Sequence, residues 1–270
     1  MLKYLIIIVL LTIIPAQAQD KEKGKLGIFE DEAKGKHSDK GDDDEEIAEI
    51  AIESFADCDD CNHFFLDGFF TFAKVMFYSR EFDEHFSNNQ YTPYPYYYHD
   101  AGLFGVETEK TFSISLNSQY FHHSDQLNGF LINANFAPLP QLAFQLNYAD
   151  LTETLRTRYD HLRLYNIFIN YNRLRFERFA FSWGIGLKGI RGDSNINAFA
   201  FTTGMELFPV EPVSFSLQYN VGLFPLATVD EISADVNLHH DRWRFQIGYK
   251  NFRAGRLNIG GVTMGIGVYF

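Results

Sequence analysis

The chain has 270 residues, of which 46% are hydrophobic and 17% aromatic, with 28 Phe and 15 Tyr. Its mean hydropathy of -0.18 argues against a bundle of membrane helices, because each helical crossing needs about 20 apolar residues in a row. A transmembrane barrel carries its apolar content in alternation and escapes that average. The net charge of -12 speaks against nucleic acid, which selects a basic face.

Residues 1–18 read as a secretory signal: Lys3 supplies the positive start, 4–14 a short apolar core, and Ala16-Gln17-Ala18 a cleavage site. The core is too short to span a bilayer. No later run is long enough for a membrane helix, so any insertion must use strands. Residues 19–46 are charged and low in complexity, with lysines alternating with acids up to the run Asp42-Asp43-Asp44-Glu45-Glu46. Such a tract lacks apolar surface to offset ordering entropy and predicts a disordered periplasmic linker. The acidic run also lacks the glycine-punctuated geometry of a calcium loop.

Residues 47–90 change character. Ile47, Ile50, Ala51 and Phe55 recur at helical spacing and predict a short helical periplasmic segment. Its Phe-rich stretch 64–72 needs cover from the barrel mouth, the inner membrane surface or a periplasmic partner. Cys58 and Cys61 are the only cysteines. Export favours a disulfide between them; zinc, with His63 and Asp59 or Asp60, and a redox couple are the alternatives. No other metal site and no cofactor is expected. Residues 91–110 open on Tyr91-Thr92-Pro93-Tyr94-Pro95-Tyr96-Tyr97-Tyr98. They read as an aromatic segment leading into the barrel at the periplasmic membrane boundary, or as a Pro-rich linker.

From residue 111 to 270 the alternation is sustained. Leu142, Phe144, Leu146 and Tyr148 oppose Ala143, Gln145 and Asn147; Val213, Phe215, Leu217, Tyr219 and Val221 oppose Ser214, Ser216, Gln218 and Asn220. Side chains alternate faces along a strand, so each segment has one apolar and one polar or small face. Ten such segments predict an all-β, antiparallel, up-and-down transmembrane barrel of about 10 strands, with 8 and 12 as the even alternatives. Turns are expected on one side at 137–140, 172–175, 208–212 and 239–242. On the other they are expected at 124–126, 150–158, 189–195, 225–231 and 251–256. A soluble β-sandwich is the competing fold.

The last strand alternates Val262, Met264, Ile266, Val268 and Phe270 with Gly261, Thr263, Gly265, Gly267 and Tyr269. A closing strand that is greasy on one face and ends in Phe resembles that of bacterial outer-membrane β-barrel proteins. The resemblance implies an outer-membrane location in a Gram-negative-type bacterium, with the N-terminal region in the periplasm. It implies that Val262, Met264, Ile266, Val268 and Phe270 form the signal read by the barrel assembly machinery. Outer-membrane lipid and lipopolysaccharide are the surrounding partners it implies.

Parity assigns Arg163, Lys188, Glu206, Asp235, Arg244 and Lys250 to the lumen, where buried ions must pair or be hydrated. A barrel of about ten strands is nearly filled by its side chains, which favours a plugged lumen over a pore. His122-His123-Ser124 has the His-x-Ser spacing seen in outer-membrane lipid A deacylases, but a hydrolase also needs an acid to orient the histidine. Arg156, Arg158, Arg191, Arg253 and Arg256 are expected in the outer loops, where they are either solvated or set against lipopolysaccharide phosphates. The expected role is non-enzymatic: a structural, adhesive or partner-docking envelope protein. A narrow channel for small polar solutes and a lipid-acting enzyme are the alternatives.

Overall fold

A computed structural model describes residues 24–35, 90–98, 101–105, 110–156, 158–192, 195–224 and 227–270. The secretory signal, the helical segment with Cys58 and Cys61, and most of the charged linker lie outside the described residues.

The alternating half of the chain forms ten strands that close into one antiparallel barrel. They are β3 (Ser113–Ser124), β4 (Leu127–Leu139), β5 (Leu142–Thr154), β6 (Tyr159–Arg175), β7 (Phe179–Arg191), β8 (Asn195–Val210), β9 (Val213–Leu223), β10 (Thr228–His240), β11 (Trp243–Ala254) and β12 (Leu257–Tyr269). Each pairs with its neighbours in sequence, and β12 closes the ring on β3 through pairs such as Val262↔His122 and Val268↔Leu116. Closure leaves no unpaired sheet edge, which is the condition for strands to sit in hydrocarbon.

The strands run further than the alternation suggests. Residues 150–154 and 228–231 are strand, and so are 172–175 at the opposite end. Arg191 and Arg253 likewise belong to strands, not loops. Backbone pairing continues where side chains turn polar, because peptide groups need partners whatever the side chains do. The described turns are short: 125–126, 140–141, 176–178, 211–212, 241–242 and 255–256.

The outward face is apolar around the whole ring. Ile167, Leu187, Phe215, Val236, Ile247 and Met264, from six different strands, all stand exposed. The inward face of the ring carries buried Asn117, Asn147, Asn166, Thr202, Ser214, Asn220 and Asn237. One sequence-based assignment fails here. Arg163 shares the register of outward Ile167 and Ile169, while Leu162, Leu164 and Asn166 point in. Arg163 therefore faces out, and its side chain is 57% exposed.

Two further pieces fill the ring. Helix α1 (Lys25–Ala33) lies across the mouth remote from the C-terminal end of β12. Strands β1 (Gln90–Tyr91) and β2 (Phe104–Gly105) pair as a small antiparallel ladder in the other mouth. The helix overturns the expectation of a disordered linker over residues 24–35. Leu26, Phe29 and Ala33 recur on one face, and the lumen supplies the apolar surface the tract lacks. Within the aromatic lead-in Tyr91, Tyr96 and Phe104 are buried inside the mouth, while Tyr97 stays exposed.

Candidate functional site: a lumen stoppered by its own chain

The upper lumen is apolar, which is unusual for a barrel interior. Phe121, Leu151, Leu162, Ile190, Phe252 and Ile259 point inward and are all but fully buried around Leu26, Phe29 and Ala33 of α1. Gly24 caps the helix without a side-chain hydrogen bond. Instead, the Leu26 amide donates to the Glu153 carboxylate of the wall at 2.9 Å, satisfying one of the free amides of the first turn. Lys25 Nζ donates to His123 Nε2 at 2.9 Å, and Lys34 pairs with Glu30 at 2.8 Å. Gly192 and Gly255 clear space at the rim for Glu30 and Glu32: a Cβ on either would come within 2.3 Å of a glutamate oxygen.

Below the socket lies an ion cluster. Lys188 Nζ and Lys250 Nζ stand 2.7 and 3.3 Å from the two Glu231 oxygens. Asn166 Nδ2 donates to the same carboxylate at 3.1 Å. Every member is buried, so each charge depends on the others. Lys250 also lies over the Phe252 ring, 5.2 Å from its centroid.

Beneath the cluster is a polar chamber of about 220 Å³, whose lining includes Asn117, Gln119, Asn170, Glu206, Asp235 and Arg244. Asp235 accepts from Gln119 at 3.2 Å and Thr263 at 3.3 Å. Arg244 donates to the Tyr269 hydroxyl at 3.0 Å. Oδ1 of Asn117, Oδ1 of Asn170 and Oε1 of Gln246 have no partner among the described residues, so the chamber suits water or a small polar solute.

The lower stopper is aromatic. The Tyr91 ring lies 4.8 Å from Phe104, and Asn172 Nδ2 donates to the Tyr91 hydroxyl at 2.8 Å. Burial pushes that hydroxyl well above the ordinary tyrosine range, against Arg175 and Asn172. Tyr96 takes the left-handed conformation, φ 66°, which a bulky residue adopts only when held there. Its hydroxyl donates to the carbonyl of Val213, with that of Val210 also within reach, and its ring meets Phe208 and His239. Burial, then Glu206 and Glu211, push its pKa up to about 12. Lys110 donates to Phe270 O at 2.7 Å and Pro93 O at 3.3 Å, tying the lead-in to the closing strand. Burial, helped by Arg242, lowers its pKa.

Of the residues assigned to the lumen from sequence, Lys188 and Lys250 meet in the ion cluster, while Glu206, Asp235 and Arg244 line the chamber. Arg163 belongs to neither. Glu231 was missed, although it continues the inward parity of Ser233 and Asp235. The α1 socket was missed because three apolar residues are hard to see in a charged tract. The His122-His123-Ser124 spacing does not assemble a triad among the described residues. His122 pairs with the Asn128 amide oxygen at 2.7 Å, where a carboxylate is required, and a register shift separates it from Ser124. Ser214 does touch both His239 at 2.9 Å and Glu206 at 3.3 Å. It is fully buried, and its hydroxyl can donate to only one of them.

No protein-family model matches the chain, and no curated protein matches it. Among solved structures it is similar to the N-terminal β-barrel domain of OprF from Pseudomonas aeruginosa, at 11% identity and a TM-score of 0.32, over 59% of this chain and 98% of that one. It is similar too to a chain from work on the in-meso crystallization of membrane proteins, at 12% identity and a TM-score of 0.30, over 59% of this chain and 83% of the other. Neither likeness bears on activity.

Proposed function

We propose that this protein is an integral outer-membrane β-barrel that does not conduct, and that it serves the envelope as a structural, adhesive or partner-docking element. One observation carries the reading: a continuous apolar belt outside encloses a lumen occupied at both mouths by the chain itself. An apolar belt of that extent on a soluble surface would drive aggregation, whereas hydrocarbon covers it at no cost. The greasy alternation ending in Phe270 supports a C-terminal end in the periplasm, with α1 in the outer mouth. On the same grounds the closing strand is the signal for the assembly machinery.

A narrow channel for small polar solutes is the second reading, and the polar chamber supports it. One experiment separates them. The chain from residue 19 is refolded into lipid vesicles, checked for a heat-modifiable gel band, and recorded in planar bilayers. Insertion without steady single-channel steps is the expected result. Regular steps would replace the stoppered reading with the channel, and a chain that stays monodisperse without detergent would remove both.

A further inference from the structure

Arg163 on β6 and Arg191 on β7 are direct cross-strand partners. Both face outward, in the register of Ile167 and Leu187, which are 50% and 55% exposed. Residues so opposed have Cβ atoms about 5 Å apart, and like charges there repel. Across β5 to β8 the row reads Asp150, Arg163, Arg191, Asn195, two cations to one anion. Asp150 holds Arg163 at 3.5 Å. The Arg191 guanidinium lies over the Tyr165 ring, 5.3 Å from its centroid. That ring is itself seated: a Cβ on Gly189 would come within 2.0 Å of it, and its hydroxyl donates to Asn197 Oδ1. The other outward arginine row differs, because Arg253 stands between Asp230 and Asn258 and is neutralised by Asp230.

From this geometry we infer that Arg163 and Arg191 form a site for the phosphate of a lipid headgroup. The two guanidinium groups stand at the upper edge of the apolar belt, where the first polar group of a lipid lies. Their planar forks match phosphate oxygens. Acyl chains of the same lipid would run down over Tyr165, Ile167 and Leu187. A phosphate between the arginines replaces their repulsion with two charge-assisted contacts.

The inference rests on the membrane reading, and the test keeps the two apart. The full chain from residue 19 is inserted into phosphatidylcholine vesicles with and without a minor fraction of phosphatidic acid. Retained lipid is counted by native mass spectrometry, and the unfolding midpoint is followed by band shift. The wild type is expected to retain phosphatidic acid and to unfold at higher temperature in its presence. Arg191→Gln is expected to weaken retention about tenfold, and R163Q/R191Q to abolish it, while Arg253→Gln behaves as wild type. Equal retention by wild type and Arg191→Gln would overturn the site. So would an equal rise in midpoint from inorganic phosphate in phosphatidylcholine alone, which marks an adventitious ion only. Failure of the wild type to insert in phosphatidylcholine would overturn the membrane reading instead. Should the double variant fail to insert, the single variant, which keeps the Arg163–Asp150 pair, decides.

Discussion

The Lys188 ammonium lies 2.7 Å from the Glu231 carboxylate, with side chains 0% and 3% exposed. Their strands, β7 and β10, are separated in the wall by β8 and β9. The pair therefore ties non-adjacent wall segments together across the lumen. Glu231→Ala strands Lys188 and Lys250 without their shared anion. Removing one partner of a buried ion pair costs about 3–5 kcal/mol, so the variant should unfold at clearly lower urea than wild type in the same micelles. K188M/E231M/K250M, which removes all three charges of the cluster, should recover much of the loss. An unchanged midpoint for Glu231→Ala would mean that water reaches the cluster.

Phe29 is the buried centre of α1, at 0% exposure. Truncating a core Phe to Ala costs roughly 3–5 kcal/mol, and a helix of nine residues has almost no stability of its own in water. Phe29→Ala should therefore release α1 while the ring stays closed. Trypsin cleavage at Lys25 or Lys34 in the inserted protein should appear in the variant, with its heat-modifiable band unchanged. Equal protection in both proteins would deny Phe29 its role as the stopper's anchor.

Ile247 stands outward near the middle of β11 and is 51% exposed. If hydrocarbon covers it, Ile247→Arg costs about 2–4 kcal/mol at the midplane, measured as urea unfolding in vesicles. A water-facing position would respond by only a few tenths, within the usual range for surface substitutions.

Tyr96 gives a pH prediction. Its folded pKa is raised from 10.0 to about 12, because the neutral hydroxyl is the form favoured inside the mouth. The stabilisation is then complete below pH 10 and disappears as pH rises from 10 to 12. Protease susceptibility of residues 90–105 should increase across that window, and Tyr96→Phe should flatten the dependence while lowering protection at neutral pH.

Gly102 marks how closely the lower stopper fits. A Cβ there would come within 2.3 Å of the Phe208 ring, and its amide donates to Glu177 O at 2.6 Å. Gly102→Val should loosen the lead-in without opening the ring, seen as faster amide exchange for residues 101–105 and none of the wall strands.

The barrel was legible because its signal is local. A period of two along Val213 to Leu223 names the outward face whatever the strand later pairs with, and ten such runs imply a ring. Glu231 needed only one more step along that same parity, and Arg163 only a consistent application of it. Residues 25–33 were harder. Leu26, Phe29 and Ala33 make a narrow stripe among lysines and glutamates, too little apolar surface to predict order in an isolated tract.

Sequence by itself determined strand and the greasy face of the wall, since alternation is a property of neighbouring residues. Only the closed ring decided which inward groups meet. It set Lys188 of β7 against Glu231 of β10 and made a socket for Phe29 from strands scattered over the chain. It also laid Arg163 directly beside Arg191. Those meetings depend on curvature and closure, which fix distances between residues far apart in sequence and leave no trace in the spacing of either partner.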